Sequence, residues 1–333
     1  MIPETYLALL AEATSENVVR PVLRELSFSS LPANEVLIRV HYSSLNYKDA
    51  LSATGNRGIT KHYPHTPGID ACGTVVYSAE PSVKKGDQVL VCGYDLGMNT
   101  PGGFGQYINV PGTWVMPLPE NLSFRECMML GTAGFTAALA IHKMELNGQH
   151  PDQGPVLVTG AGGGLGSLAV NILSGIGYKV IAATGKENES SYFTELGATE
   201  IISRDEVDDH SGKLLLRPRW AGVIDTVGGN ILSTTFKACQ RHGNVAVCGN
   251  ALSHELQTSV FPFILNGINL LGIDSATCPM ALRRLVWDKL AMDWKPAMLM
   301  QISKEINLEE LPKYIELILS GKIRGRVFVN MDV

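Results

Sequence analysis

Pro155-Val-Leu-Val-Thr-Gly-Ala-Gly-Gly-Gly-Leu-Gly-Ser-Leu-Ala169 reads, in order, as an apolar strand, a glycine turn and the start of a helix. The spacing Gly160-x-x-Gly163-x-x-Gly166 departs from GxGxxG, because Ala161 occupies the first glycine position. The physical demands of a dinucleotide loop are nevertheless met. Gly163 removes a Cβ where a pyrophosphate approaches the amino end of a helix, and Gly166 lets that helix pack closely on the strand. A glycine motif alone is weak; placed between strand and helix it is specific.

Working outward, strands and helices alternate. Strands are predicted at Val156–Thr159, Lys179–Ala183, Glu200–Ile202, Gly222–Asp225, Asn244–Cys248 and Asn269–Gly272. Helices are predicted over about 165–176, 190–196 and 231–239, with another over 124–143. Such alternation with short glycine loops describes an α/β, doubly wound parallel sheet. The first 125 or so residues differ, reading as short strands with Gly/Pro turns, as in a small β-barrel or sandwich. The tail predicts helices near 281–292 and 308–319 and a strand at Arg324–Val329.

The strand after the loop selects the cofactor. An NAD site places an acid at its end to receive the ribose 2′-hydroxyl. Here Lys179-Val-Ile-Ala-Ala-Thr-Gly-Lys186 ends instead on Thr184, Gly185 and Lys186, and Arg204 follows the neighbouring strand. Cations attract a 2′-phosphate that a carboxylate would repel, so NADPH is the expected cofactor.

Composition bounds the rest. The 333 residues suggest roughly two domains. Twenty-seven basic against 32 acidic residues, net −5, leave no excess of cations for nucleic acid or anionic lipid. Glu4 replaces the cation of a signal peptide, and the longest near-apolar run, Cys127–Ile141, is too short to span a bilayer, so a soluble, cytoplasmic protein is expected. Six cysteines stand singly, without a CxxC pair, and read as buried small hydrophobes. His62 and His65 have no acid or Cys partner nearby, and Ser167 lacks a GxSxG elbow.

Several segments then form one ordered set: Asn46-Tyr-Lys-Asp49, Pro67-Gly-Ile-Asp-Ala71, Lys85-Gly-Asp-Gln-Val89, Gly131-Thr-Ala-Gly-Phe-Thr-Ala137, the glycine loop, Asp225-Thr-Val-Gly-Gly229 and Gly272-Ile-Asp-Ser275. The set resembles the medium-chain dehydrogenase/reductase superfamily. Within it, NYKD, GTAGFTA and ATGK are most similar to the zinc-free quinone oxidoreductase branch, and to its YhdH/AcuI-type NADPH-dependent acrylyl-CoA reductases. The resemblance implies a GroES-like β-barrel catalytic domain from residues 1–124 and 275–333, a Rossmann NADPH-binding domain from 125–274, an active cleft between them, and a homodimer. Asn46 stands near the family's zinc-ligating Cys and Gly68-Ile69-Asp70 replaces its Gly-His-Glu element, so no metal is expected.

Carried over by resemblance, the phosphate loop is Gly163, Gly164, Leu165 and Gly166, and the 2′-phosphate site is Thr184, Gly185, Lys186 and Arg204. Tyr47 is implied at the nicotinamide half, with Asn46 facing the substrate; Asn250, Ile264 and Ser275 are implied to flank the cofactor. Asp49 reads instead as a loop brace. Hydride addition to an α,β-unsaturated thioester needs stabilisation of charge on the carbonyl oxygen and a proton donor, for which the Tyr47 phenol is the candidate. Should the acyl group ride on CoA, Arg57, Lys61, Arg283, Arg284, Arg324 and Arg326 are available cations. The leading expectation is reduction of a short enoyl-CoA, acrylyl-CoA to propanoyl-CoA. The alternatives are NADPH:quinone or enone oxidoreduction and a non-catalytic NADPH-binding protein.

Overall fold

The computed structural model describes residues 3–14, 18–185 and 189–332. The chain divides into two compact units, one comprising residues up to Thr132, Ala276–Arg284 and the segment from Ser303, the other Ala133–Ser275 and Leu285–Ile302. Lys186, one of the expected 2′-phosphate ligands, lies outside the described residues.

The first unit opens with β1 (Thr5–Ala13) and β2 (Val19–Ser27), an antiparallel pair. There follow β3 (Val36–Leu45), α1 (Tyr47–Ala53), β4 (Asp70–Ser78), β5 (Gln88–Cys92), β6 (Tyr107–Val110) and β7 (Met116–Pro117). α2 (Phe124–Leu146) then carries the chain into the second unit. That unit holds β8 (Val156–Thr159), α3 (Gly164–Gly175), β9 (Val180–Thr184), α4 (Ser190–Glu195), β10 (Glu200–Ser203), β11 (Trp220–Asp225), α5 (Gly229–Lys237), β12 (Cys239–Val247), α6 (Phe261–Asn266) and β13 (Asn269–Gly272). After α7 (Met280–Ala291) and α8 (Leu299–Ile302), the chain returns to the first unit for β14 (Ser303–Asn307), α9 (Leu311–Leu319) and β15 (Arg326–Asn330).

In the first unit the sheet runs β14-β15-β3-β4-β5-β7, with β6 paired to β3. All of these pairs are antiparallel except β14 with β15. Alternate residues of β3 and its neighbours, Val36, Ile38 and Val40 with Val75, Val89, Val91, Ile108 and Val329, fill the interior. This is the GroES-like arrangement.

The second unit is a fully parallel six-stranded sheet, ordered β10-β9-β8-β11-β12-β13. Numbered from its own first strand, that order is 3-2-1-4-5-6, the Rossmann winding. Every residue of β8, β9 and β11 is buried, as expected for strands covered on both faces. The reversal of strand order falls between β8 and β11, so the crevice for a ligand opens beyond Thr159 and Asp225.

The compact units differ from the expected spans in two places. Leu285–Ile302 belongs with the parallel sheet rather than the barrel. Its Trp287 ring stacks on Phe135 at 6.1 Å, and the Met298 N–H donates to Asn171 Oδ1 at 3.0 Å. The other difference is the crossing at Thr132, which the uninterrupted helix expected over 124–143 did not reveal: Gly131, at φ 50° and ψ −156°, breaks α2 there. No helix among the described residues is long and apolar enough to cross a membrane.

Candidate functional site

In the parallel-sheet unit, β8 delivers the chain to Gly160, whose φ of +60° turns it sharply toward α3. A Cβ on Gly166 would lie 2.3 Å from the Gly160 carbonyl oxygen, so that glycine is required by the closeness of helix and loop. Gly163 differs. A Cβ there would meet only the Gly160 oxygen, at 3.4 Å, so the protein's own packing does not require glycine at that position. Ser167 is buried and donates to the Ala161 carbonyl at 3.0 Å, bracing the loop. Gly163 is the N-cap of a twelve-residue helix, whose first-turn N–H groups lack intrahelical acceptors and point at this opening.

Beside the loop, Thr184 ends β9 buried, and Gly185 follows it exposed. Arg204, on the turn after β10, brings its guanidinium carbon to 3.7 Å from where a Gly185 Cβ would stand. The turn is held by a reciprocal cap, Ser203 N–H to Glu206 Oε1 at 3.2 Å and Glu206 N–H to Ser203 Oγ at 3.3 Å.

On the other side of the switch point, Thr159 Oγ1 donates to Asp225 Oδ1 at 2.7 Å, while Asp225 Oδ2 receives the N–H groups of Gly228 (2.8 Å) and Val227 (3.3 Å). Burial raises the Asp225 carboxyl above its ordinary range, and these hydrogen bonds oppose the rise. The loop carrying Asn250 packs on this turn, with Leu252 N–H donating to the Val227 carbonyl at 2.9 Å. Asn250 is exposed, as is Ile264 on α6 at 68%. Ser275 Oγ lies 2.8 Å from Thr136 Oγ1. The structure thus brings the glycine loop together with Thr184, Gly185 and Arg204 at one sheet edge, and places Asn250 two strands further along that edge, beyond the turn after β11.

The barrel unit contains the Asn46–Tyr47 pair at the entry of α1. Tyr47 is 46% exposed. Asn46 is different: its Nδ2 donates to Asp70 Oδ2 at 2.8 Å and Asp49 Oδ2 at 3.1 Å, and its Oδ1 accepts from Arg326 Nη1 at 3.1 Å. Both amide hydrogens and the oxygen are engaged, which makes Asn46 a brace, whereas resemblance implied a substrate-facing group. Asp49 is fully buried and accepts the Ile69 N–H on Oδ1 and the Asn46 N–H on Oδ2, both at 2.8 Å. Burial, and then the adjacent Asp70 carboxylate, push Asp49 up to about 7. Asp70, also fully buried, is held by Ser44 Oγ (2.5 Å) and Thr132 N–H (2.9 Å) on Oδ2, and by Thr132 Oγ1 (2.6 Å) on Oδ1.

Sequence reasoning missed Ser44, Asp70 as a hub, Thr132, Thr159 and the bracing role of Arg326. The available signal was a charge inside apolar context, as in Ile69-Asp70-Ala71 and Arg326-Val-Phe-Val329. Arg283 and Arg326, named among the cations for CoA, are corrected: each is buried, at 2% and 3%, on backbone carbonyl oxygens. His65 is buried on β1, its backbone paired with Ala11. Among the described residues no group of three His, Cys, Asp or Glu side chains is placed to hold a metal ion.

Residues 32–120 match the alcohol dehydrogenase GroES-like domain family, and residues 164–292 match the zinc-binding dehydrogenase family. The chain is 45% identical to the putative quinone oxidoreductase YhfP of Bacillus subtilis, across 98% of this chain and 99% of that protein. It belongs to the medium-chain dehydrogenase/reductase superfamily. Within this oxidoreductase superfamily the chain is also 41% identical to the acrylyl-CoA reductase AcuI of Ruegeria pomeroyi, over 98% and 99% of the two chains. Among solved structures, YhdH oxidoreductase from Salmonella enterica in complex with NADP superimposes with a TM-score of 0.94 at 41% identity, covering 97% of this chain and 99% of that one. Bacillus subtilis yhfP with NAD bound superimposes with a TM-score of 0.95 at 45% identity, covering 98% and 100%.

Proposed function

We propose that this chain is an NADPH-dependent reductase of the carbon–carbon double bond in a short 2-enoyl-CoA, with acrylyl-CoA the favoured substrate. The observation that carries the cofactor is Arg204 packed against Gly185 at the end of β9, where an NAD site would present an acid. Gly163, Gly164, Leu165 and Gly166 hold the pyrophosphate at the start of α3, and Thr184, Gly185, Lys186 and Arg204 surround the 2′-phosphate. Asn250 stands by the nicotinamide ring, and Ile264 and Ser275 flank the cofactor. NADPH, when bound, supplies the hydride for the β-carbon of the acyl group.

The remaining chemistry belongs to the chain. Tyr47, half exposed on a braced helix start, offers its phenol as the proton donor to the α-carbon, and Asn46 holds it there. The substrate class is supported by near-full-length identity of 41% and 40% to two proteins named as acrylyl-CoA reductases. A second reading, quinone reduction with the same cofactor, is favoured by the 45% identity to a putative quinone oxidoreductase. Steady-state NADPH oxidation with acrylyl-CoA beside a benzoquinone separates the two. The proposal requires the larger kcat/KM for the thioester, and the opposite order reverses it.

We also propose a homodimer, since among the described residues β13 is the edge strand of the parallel sheet and its Leu270 is 46% exposed. Sedimentation at micromolar concentration tests this. Six free thiols, five of them buried, fit a reducing compartment such as the cytoplasm.

A further inference from the structure

We infer that Arg326 is a positioning residue for Tyr47, acting through Asn46. The inference rests on the reading of Tyr47 as proton donor and goes beyond it, because Arg326 is distant in sequence and carries no role in that reading.

The argument begins with a cost. Arg326 is 3% exposed, and burial alone lowers the affinity of its guanidinium for its proton. A buried charge is retained at a penalty, and a well-packed apolar side chain of similar size would commonly give equal or greater stability. The guanidinium must therefore supply geometry. Its Nη1 donates both to the Leu45 carbonyl at 3.2 Å and to Asn46 Oδ1 at 3.1 Å, so one nitrogen grips the peptide before Asn46 and the Asn46 side chain together. Nε donates to the Met129 carbonyl at 3.2 Å, anchoring the fork to α2. Asn46 then passes the constraint on. Its Nδ2 reaches Asp70 and Asp49, and its backbone N–H reaches Asp49 Oδ2, which closes the first turn on which Tyr47 is the leading residue.

The cluster is also closed from above. A Cβ on Gly131 would lie 2.5 Å from Ser44 Oγ, 2.7 Å from Asp70 Oδ2 and 2.8 Å from Arg326 Nη2, so only glycine leaves the fork its place. Nη2 has no hydrogen-bond partner among the described residues. A fork held by two of its three nitrogens fixes a plane, which a lysine ammonium cannot reproduce.

The test is a double-mutant cycle with Arg326→Lys and Tyr47→Phe, read by kcat, by KM for NADPH and by hydrogen exchange of the amides of residues 45–53. Thermal melts establish that each variant is folded. Arg326→Lys is expected to lower kcat about tenfold or more through misplacement of the reacting group, leave KM for NADPH within about twofold, and speed exchange in α1. Added to Tyr47→Phe it should lower kcat no further, since both changes remove one function. An equal loss in both backgrounds, or unaltered exchange in α1, overturns the positioning role and leaves the reading of Tyr47 standing. Unaltered kcat in Tyr47→Phe removes the reading of Tyr47, and the inference with it. If Arg326→Lys does not fold, Asn46→Ala cuts the same link and runs through the same cycle with the same deciding outcomes.

Discussion

The backbone N–H of Asn46 donates to Asp49 Oδ2 at 2.8 Å, and the same oxygen receives the Asn46 side-chain amide at 3.1 Å. Three N–H groups thus converge on a carboxyl group that burial and Asp70 hold near 7 rather than near 4. The folded protein binds this proton more tightly than the unfolded chain does. The resulting stabilisation is complete below the unfolded carboxyl's range and is lost as pH rises through about 7. Urea unfolding of the parent and of Asp49→Asn from pH 4 to pH 8 should differ in slope, the parent losing up to about 1.4 kcal/mol more per pH unit between 5 and 7. Parallel curves would show that no proton is held there.

Gly131 must remain glycine for two independent reasons, its φ of 50° and the three polar atoms within 2.8 Å of any added Cβ. Gly131→Ala should therefore cost about 3 kcal/mol in urea unfolding, combining backbone strain with overpacking. A loss below about 1 kcal/mol would mean that the Asp70–Arg326 cluster yields easily.

Arg204→Ala removes the guanidinium beside Gly185. Its affinity for NADPH should fall about tenfold or more, the worth of a charge-assisted hydrogen bond, while that for NADH stays within about twofold. Fluorescence titration with each nucleotide measures both. Equal losses would detach Arg204 from the 2′-phosphate.

Thr159→Val deletes the 2.7 Å hydrogen bond to Asp225 while keeping the shape of the strand end. The expected cost is about 2 kcal/mol, the price of a buried acceptor left short of a donor. Because Asp225 already titrates above its ordinary range, losing a donor raises it further, so the deficit should be larger at pH 8 than at pH 5. Unfolding at the two pH values checks the sign.

Much of the parallel-sheet unit was legible in advance. Strands Val156–Thr159 and Asn269–Gly272 coincide with the observed β8 and β13, and α3 begins one residue before its expected start. These elements announce themselves through hydrophobic continuity and glycine placement over a few residues. The β12 strand was less visible: it starts at Cys239, five residues early, because Gln240-Arg-His is polar and gives no strand signal. The break at Gly131 was hidden for a different reason. Its flanks, Met128-Met-Leu and Ala133-Gly-Phe, continue an apolar helical pattern, and only Asp70, from another strand, captures Thr132 and ends the first segment.

By itself, the sequence determined the glycine turn between β8 and α3, the Thr184-Gly185 end of β9 where an NAD site carries an acid, and the order of elements, since each depends on groups close together along the chain. Only the tertiary structure decided the partner of Asn46. Its amide oxygen meets a guanidinium 280 residues away, and Leu285–Ile302 joins the parallel sheet rather than the barrel. Contacts between remote segments leave no periodicity to read, because they arise from burial and from the need of a desolvated charge for partners wherever the chain can bring them.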